Sequence, residues 1–192
     1  MTSLDFVGAA FLGFILLGIM ISIRMFSADS SVKFTSDVVT HENMNQFTES
    51  LAFDMNMVGF RDSTGQPVVT AKPDTLAYYA DSDDNGVAEF IRYYLSPKSA
   101  CAKTPNPDDA ILIRARTYSL GGTNFADTQR TNIGLTKFLL SYFDSTGAAT
   151  LNPLLVRGIK VDAKIESPQK HFDSTYSAVS WQSRFYPKNL IP

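Results

Sequence analysis

The chain has 192 residues, of which 44% are hydrophobic and 19% charged, with a formal net charge of −2. That length fits one soluble domain beside any membrane segment, and the 17 lysines and arginines are scattered, leaving no basic stripe to hold nucleic acid. The single cysteine, Cys101, excludes an intrachain disulfide and a CxxCH haem site.

The N-terminal segment MTSLDFVGAAFLGFILLGIMISIRMF is apolar apart from Asp5 at its head and Arg24 near its end. No charge occurs over residues 6–23. About 18 residues rising about 1.5 Å each make a helix of roughly 27 Å, enough to cross most of a hydrocarbon core of about 30 Å. An acid at the head of such a helix is costly without a partner, which marks Asp5 as functional. The small residues Gly8, Ala9, Ala10, Gly13 and Gly18 let neighbouring helices approach closely. A cleavable signal peptide opens on a basic residue and ends at a small-residue cleavage site. Here the first base is Arg24, after the apolar run, and no such site follows. A plain anchor keeps basic residues on its cytoplasmic flank, and none precedes Phe6. Residues 1–26 are therefore read as a membrane-spanning or filament-core helix, and residues 27–192 as a soluble domain.

This N-terminus resembles that of the type IV pilins. Their mature subunits begin with a methylated apolar residue, often followed by Thr, and carry an acid at the fifth position. Met1, Thr2 and Asp5 fit that pattern, with Asp where the family usually has Glu. The resemblance implies a basic leader removed ahead of Met1, methylation of Met1, and assembly through the N-terminal helix. It pairs Asp5 with the Met1 amine of a neighbouring subunit, which fixes the stagger between helices. Asp is one methylene shorter than Glu, so that pair sits closer or is bridged by a group such as Thr2. Gly13 joins Met1, Thr2 and Asp5 as an assembly residue because its flat surface admits a neighbour. The single cysteine departs from the C-terminal disulfide loop found in many pilins.

Further on, SADSSVKF is polar and Ser-rich, and reads as helix, kink or extended link. Met44, Phe47, Leu51, Met55 and Val58 then recur at spacings of three and four, the stripe of one helical face. Glu42, Asn45, Glu49 and Asn56 fall on other faces. This amphipathic helix should run to about residue 59, where Gly59 supplies a left-handed cap, and its stripe should pack on a sheet.

From Gln66 the pattern shifts to period two. Strands are expected at 75–80 and 87–95, joined by the turn DSDDNG, in which Asn-Gly is a strong hairpin signal. Residues 97–109, with three prolines, read as a loop, 110–118 as a strand and 119–132 as a second loop. Residues 137–143 form the next strand, closed by the turn DSTG. Ile159, Val161, Ala163 and Ile165 alternate with Lys160, Asp162, Lys164 and Glu166, a strand with one buried and one wet face. A last strand over 177–185 sets Val179, Trp181 and Phe185 opposite Ser180, Gln182 and Arg184. The fold class is α+β, a long N-terminal hydrophobic helix followed by an antiparallel sheet.

The order of AFDMNMVGF, DTLAYYADSDDNGVAEFIRYYLS, FLLSYFDSTGAATLNP, VRGIKVDAKIE and SWQSRFYPKNL resembles the PilW-like, or J-type, class of minor pilins and pseudopilins. That class belongs to type IV pili and type II secretion systems. The likeness covers residues 52–190 and implies a periplasmic or extracellular sheet domain.

Asp81, Asp83, Asn85 and Gly86 open like an EF-hand, D-x-D-x-N-G, but the twelfth position is Arg92 where a bidentate Glu is required. The flanks read as strands. A solvated acidic turn is the favoured reading, a loose calcium site the alternative, and no metal ligand is assigned. His41 and His171 lie far apart in dissimilar contexts, so neither a metal pair nor a nucleophile–base set is indicated. There is no G-x-S-x-G elbow and no phosphate-binding loop. Tyr78, Phe90, Tyr93 and Phe143 are expected in the core or in cross-strand pairs. No catalytic residue and no cofactor is expected.

The resulting expectation is a structural subunit of an extracellular type IV pilus-like filament. Its partners would be copies of itself or sister pilins, and the bacterial inner membrane before assembly. Two alternatives stand: a minor pseudopilin of a secretion or pilus-tip complex, in a periplasmic pseudopilus, and a monomeric membrane-anchored periplasmic binding domain.

Overall fold

A computed structural model describes residues 3–98, 101, 104, 106–120, 123–131, 134–168, 170 and 175–190. One helix, α1 (Ser3–Met57), precedes eight strands: β1 (Val68–Lys72), β2 (Thr75–Ala80), β3 (Glu89–Leu95), β4 (Leu112–Leu120), β5 (Thr123–Arg130), β6 (Leu135–Phe143), β7 (Gly158–Glu166) and β8 (Ala178–Phe185). The chain is thus α+β, with every described strand pair antiparallel.

α1 is continuous for 55 residues, about 80 Å at helical rise. The Ser-rich stretch after Phe26 is helix. Just beyond it the helix absorbs two further hydroxyls by bonds back one turn, Thr35 to the Ser31 carbonyl at 2.9 Å and Thr40 to that of Ser36 at 2.7 Å. The helix stops where Gly59 takes a positive φ of 79°. Gly59 N–H then bonds the Tyr79 carbonyl at 2.9 Å, which swings the chain onto the sheet. A Cβ there would meet Pro67 at 3.0 Å, a tight contact that adds to the conformational reason for glycine.

The strands form two sheets, β1-β2-β3-β4-β5 and β6-β7-β8. They are joined where Leu140 N–H bonds the Pro73 carbonyl at 2.8 Å, and where Ala110 bridges Leu135. The Tyr142 hydroxyl, 2.9 Å from the Lys72 carbonyl and 3.0 Å from that of Thr75, ties β6 to the β1–β2 hairpin. One core results. Met44, Phe47, Leu51, Met55 and Val58 are all buried, as their spacing predicts, against Leu76, Ile91 and Leu112 of the first sheet and Ile159, Val161 and Phe185 of the second.

Several strand assignments differ from the sequence reading. β4 begins and ends two residues later than expected, and β6 begins two residues earlier. β1 lies between two prolines and spans only five residues, too short for its alternation to register. β5 occupies the middle of the expected 119–132 loop. It is an edge strand with mostly exposed residues, so it carries no apolar period. β3 begins at Glu89, two residues later than expected.

Candidate functional site

α1 has two unlike halves. From residue 6 to 35 every residue is exposed except Asp29, which is half-exposed. The exposed set includes Phe6, Phe11, Phe14, Leu16, Ile19 and Phe26, with Phe26 77% accessible. Exposed apolar side chains continue past Arg24, at Met25, Val32, Phe34, Val38 and Val39. The helix is long and apolar enough to cross a membrane, and none of its most apolar window is buried within the chain. A Cβ added at Gly8, Gly13 or Gly18 would meet nothing within 4 Å, so these glycines leave flat, open patches for a second helix.

Of the expected assembly residues, Gly13 stands in this exposed region. Asp5 is in the first turns of α1, but its side chain lies outside the described residues, as do Met1 and Thr2. His171 also lies outside them, and His41 is exposed, its ring nitrogen 2.9 Å from the Asp37 carbonyl one turn back.

The second half is anchored by a polar clamp. Asp54, buried on the apolar face of α1, receives the Arg114 Nε of β4 at 2.5 Å and, more loosely, its Nη2 at 3.4 Å. The Tyr93 hydroxyl of β3 donates to the same carboxylate. Burial lowers the tendency of Arg114 to stay charged, but Asp54 outweighs it, so the guanidinium pKa is raised. Burial, followed by the Asp54 charge, pushes the Tyr93 hydroxyl well above its ordinary value. A buried charge pair satisfied on both sides fixes orientation more than it adds stability. Here it fixes how the helix leaves the sheet. The sequence held a signal for it: Asp54 falls three residues after Leu51 and one before Met55, an acid inside the apolar stripe.

The acidic turn between β2 and β3 is built differently from a two-residue hairpin. Its left-handed positions are Asp84 (φ 59°) and Gly86 (φ 88°). The buried Asp81 carboxylate accepts the N–H groups of Asn85 at 3.0 Å and Gly86 at 2.8 Å, and Arg61 at 3.0 Å. Burial would raise the Asp81 pKa, but Gly86, Arg61 and Asn85 together hold it below the usual range. Carboxylate oxygens of Asp81, Asp83 and Glu89 gather within 4.8 Å of one another. Glu89 is the member of this group that the sequence reading did not name. Two guanidiniums already serve the cluster. Arg61 reaches Asp81 and Asp84, and Arg116 lies 3.3 Å from Asp83 and 3.8 Å from Glu89.

No protein-family model matches the chain, and no curated protein matches it significantly.

Proposed function

We propose that the chain is a structural subunit of an extracellular type IV pilus-like filament that assembles through its N-terminal helix. The observation that carries this reading is the exposed apolar half of α1. Apolar surface on that scale is unstable in water and marks a site of association. Lipid is one way to cover it, but only in part. Roughly 20 helical residues span a hydrocarbon core, and exposed apolar side chains run on to Val39. Apolar helices of other copies cover the whole length, and the open glycine patches suit such packing. The sequence resemblance supplies the same mode of assembly, with an inner-membrane pool before it. The length of this apolar surface favours assembly over a monomeric anchored domain.

The test is electron microscopy of material sheared from cells that express the full chain. Asp5→Ala should leave the subunit in the membrane and reduce filament yield at least about tenfold, the effect of a lost register pair. Asp5→Glu should retain assembly. Asp5→Ala filaments of normal length and abundance overturn the role of Asp5. Filaments in which this chain is a trace component, with another protein as the bulk, assign it to the minor pseudopilin class instead.

A further inference from the structure

Outside the exposed helix surface, a cavity of about 400 Å³ opens where α1 leaves the sheet domain. One wall is helix, with Ser31, Thr35 and Thr40 among its residues, and the other is formed by Thr104, Asp109, Gly134 and Glu166. Asp109 is 1% exposed, and among the described residues neither of its carboxylate oxygens has a hydrogen bond of normal geometry, the Thr104 side chain being its nearest source of stabilisation. It is pressed against Gly134, where an added Cβ would lie 2.2 Å from the Asp109 carboxyl carbon. A buried carboxylate so weakly compensated is expensive, which points to a group supplied from outside the fold.

We propose that this cavity binds a primary alkylammonium group, with Asp109 as its counter-ion. Three features define that chemistry. Among the described residues lining the cavity there is no lysine, arginine or histidine. Glu166 is already neutralised, by Lys164 at 2.6 Å, and its other oxygen accepts the Asn106 amide at 3.0 Å. Asp108 is likewise held by Lys98 at 2.6 Å. Among the described residues one uncompensated negative charge therefore remains, which suits a monocation and is too little for a hard dication that wants several charged oxygens. The second feature is the wall of hydroxyls. Thr35 and Thr40 spend their protons on the carbonyls of Ser31 and Ser36, so towards a ligand they offer only lone pairs. An ammonium, with three donors and no acceptor, is the complement. The third is the apolar lining from Val32, Val39, Ile165 and Pro168, which matches a methylene stem. α1 contributes no titratable group to the cavity. Burial raises the Asp109 pKa; Thr104 opposes this, and the Glu166 and Asp108 charges add to it. Binding should therefore strengthen as pH rises and Asp109 ionises.

The site does not depend on the filament reading, and its test is separate. Full-length chain in detergent is titrated with n-butylammonium and, in parallel, n-butanol, by NMR. Butylammonium should bind and butanol should not. Asp109→Asn should weaken binding at least about tenfold, the usual loss for a hydrogen-bonded charge pair. Val39→Trp, on an exposed helix position, should block the cavity while leaving Asp109 in place, and serves if Asp109→Asn does not fold. Binding to either folded variant as tight as to the parent chain, or none to the parent chain at neutral pH, overturns the proposal. Carbodiimide cross-linking in native membranes then identifies the source. An Asp109–lysine amide between copies assigns the ammonium to a second subunit. Butylammonium binding without that cross-link assigns the site to a free amine.

Discussion

One helix presents two surfaces with opposite fates. At its C-terminal end Leu51, Met55 and the next residue after the helix, Val58, are at most 2% exposed and belong to the sheet core. In its first turns Phe6, Phe11 and Leu16 are as apolar and at least 62% exposed. Side-chain chemistry is similar in the two halves, so the difference lies in what the fold supplies. Two sheets cover the second half, and none of the described residues covers the first. The two acids follow the same division. Asp54 meets Arg114 and Tyr93 within the chain, whereas Asp5 lies in the first turns of the exposed half.

The strongest break of this contrast is at the clamp. Asp54→Ala leaves Arg114, only 15% exposed, without its carboxylate. Losing one partner of a buried pair costs about 3 kcal/mol or more. Thermal unfolding of the full chain in detergent, followed by β-sheet circular dichroism, should show that loss. An unchanged Tm would mean that the pair only decorates the helix–sheet contact.

A paired substitution measures the contrast directly. Leu51→Ala should cost about 2–5 kcal/mol, because it removes buried volume from a packed core. Leu16→Ala, at a site 62% exposed, should change folding stability by no more than about 0.5 kcal/mol. Equal effects in detergent would show that the two halves are not energetically distinct.

Much of this was legible in the sequence, for reasons that differ by element. The buried stripe of α1 and the alternation in β7 are periodic, and periodicity is what burial on one face imprints. β5 was not legible, because an exposed edge strand has no face to hide. The continuity of α1 through its Ser-rich stretch was open, since serine and aspartate weaken a helix by competing for backbone hydrogen bonds and leave no periodic face to read. The acidic turn advertised its aspartates but not the distant Arg61 and Arg116, which arrive from outside the turn through the fold. Asp109 looked like one more acid in a proline-rich loop. Its isolation appears only when Gly134 and α1 close around it.

Gly13→Leu sharpens the contrast from the exposed side. No atom stands within 4 Å of the added Cβ, so the side chain fits the isolated subunit. Leucine is also the better helix former, by about 1 kcal/mol. The unfolding transition of the sheet domain should therefore not fall. If copies pack through this patch, filament yield should drop while membrane insertion continues. Normal filament yield from this variant would place the contact on another face of α1.

The smallest effect belongs to the acidic turn, far from the exposed helix, and it is read from pH. Asp81 has a folded pKa below its ordinary value, so folding favours its ionised form. The stability this contributes is present above the unfolded pKa, near pH 4, and is lost as pH falls through the folded value. Asp81→Asn removes the charge seen by Arg61 and should lower Tm by a few degrees at pH 7. The variant has no carboxylate to titrate at this position. The parent chain should therefore lose its advantage on acidification, and the two melting curves should converge below about pH 4. A gap of constant size down to low pH would assign the effect to the shape of the turn, where the N–H groups of Asn85 and Gly86 meet residue 81, and remove the Arg61 charge from the account.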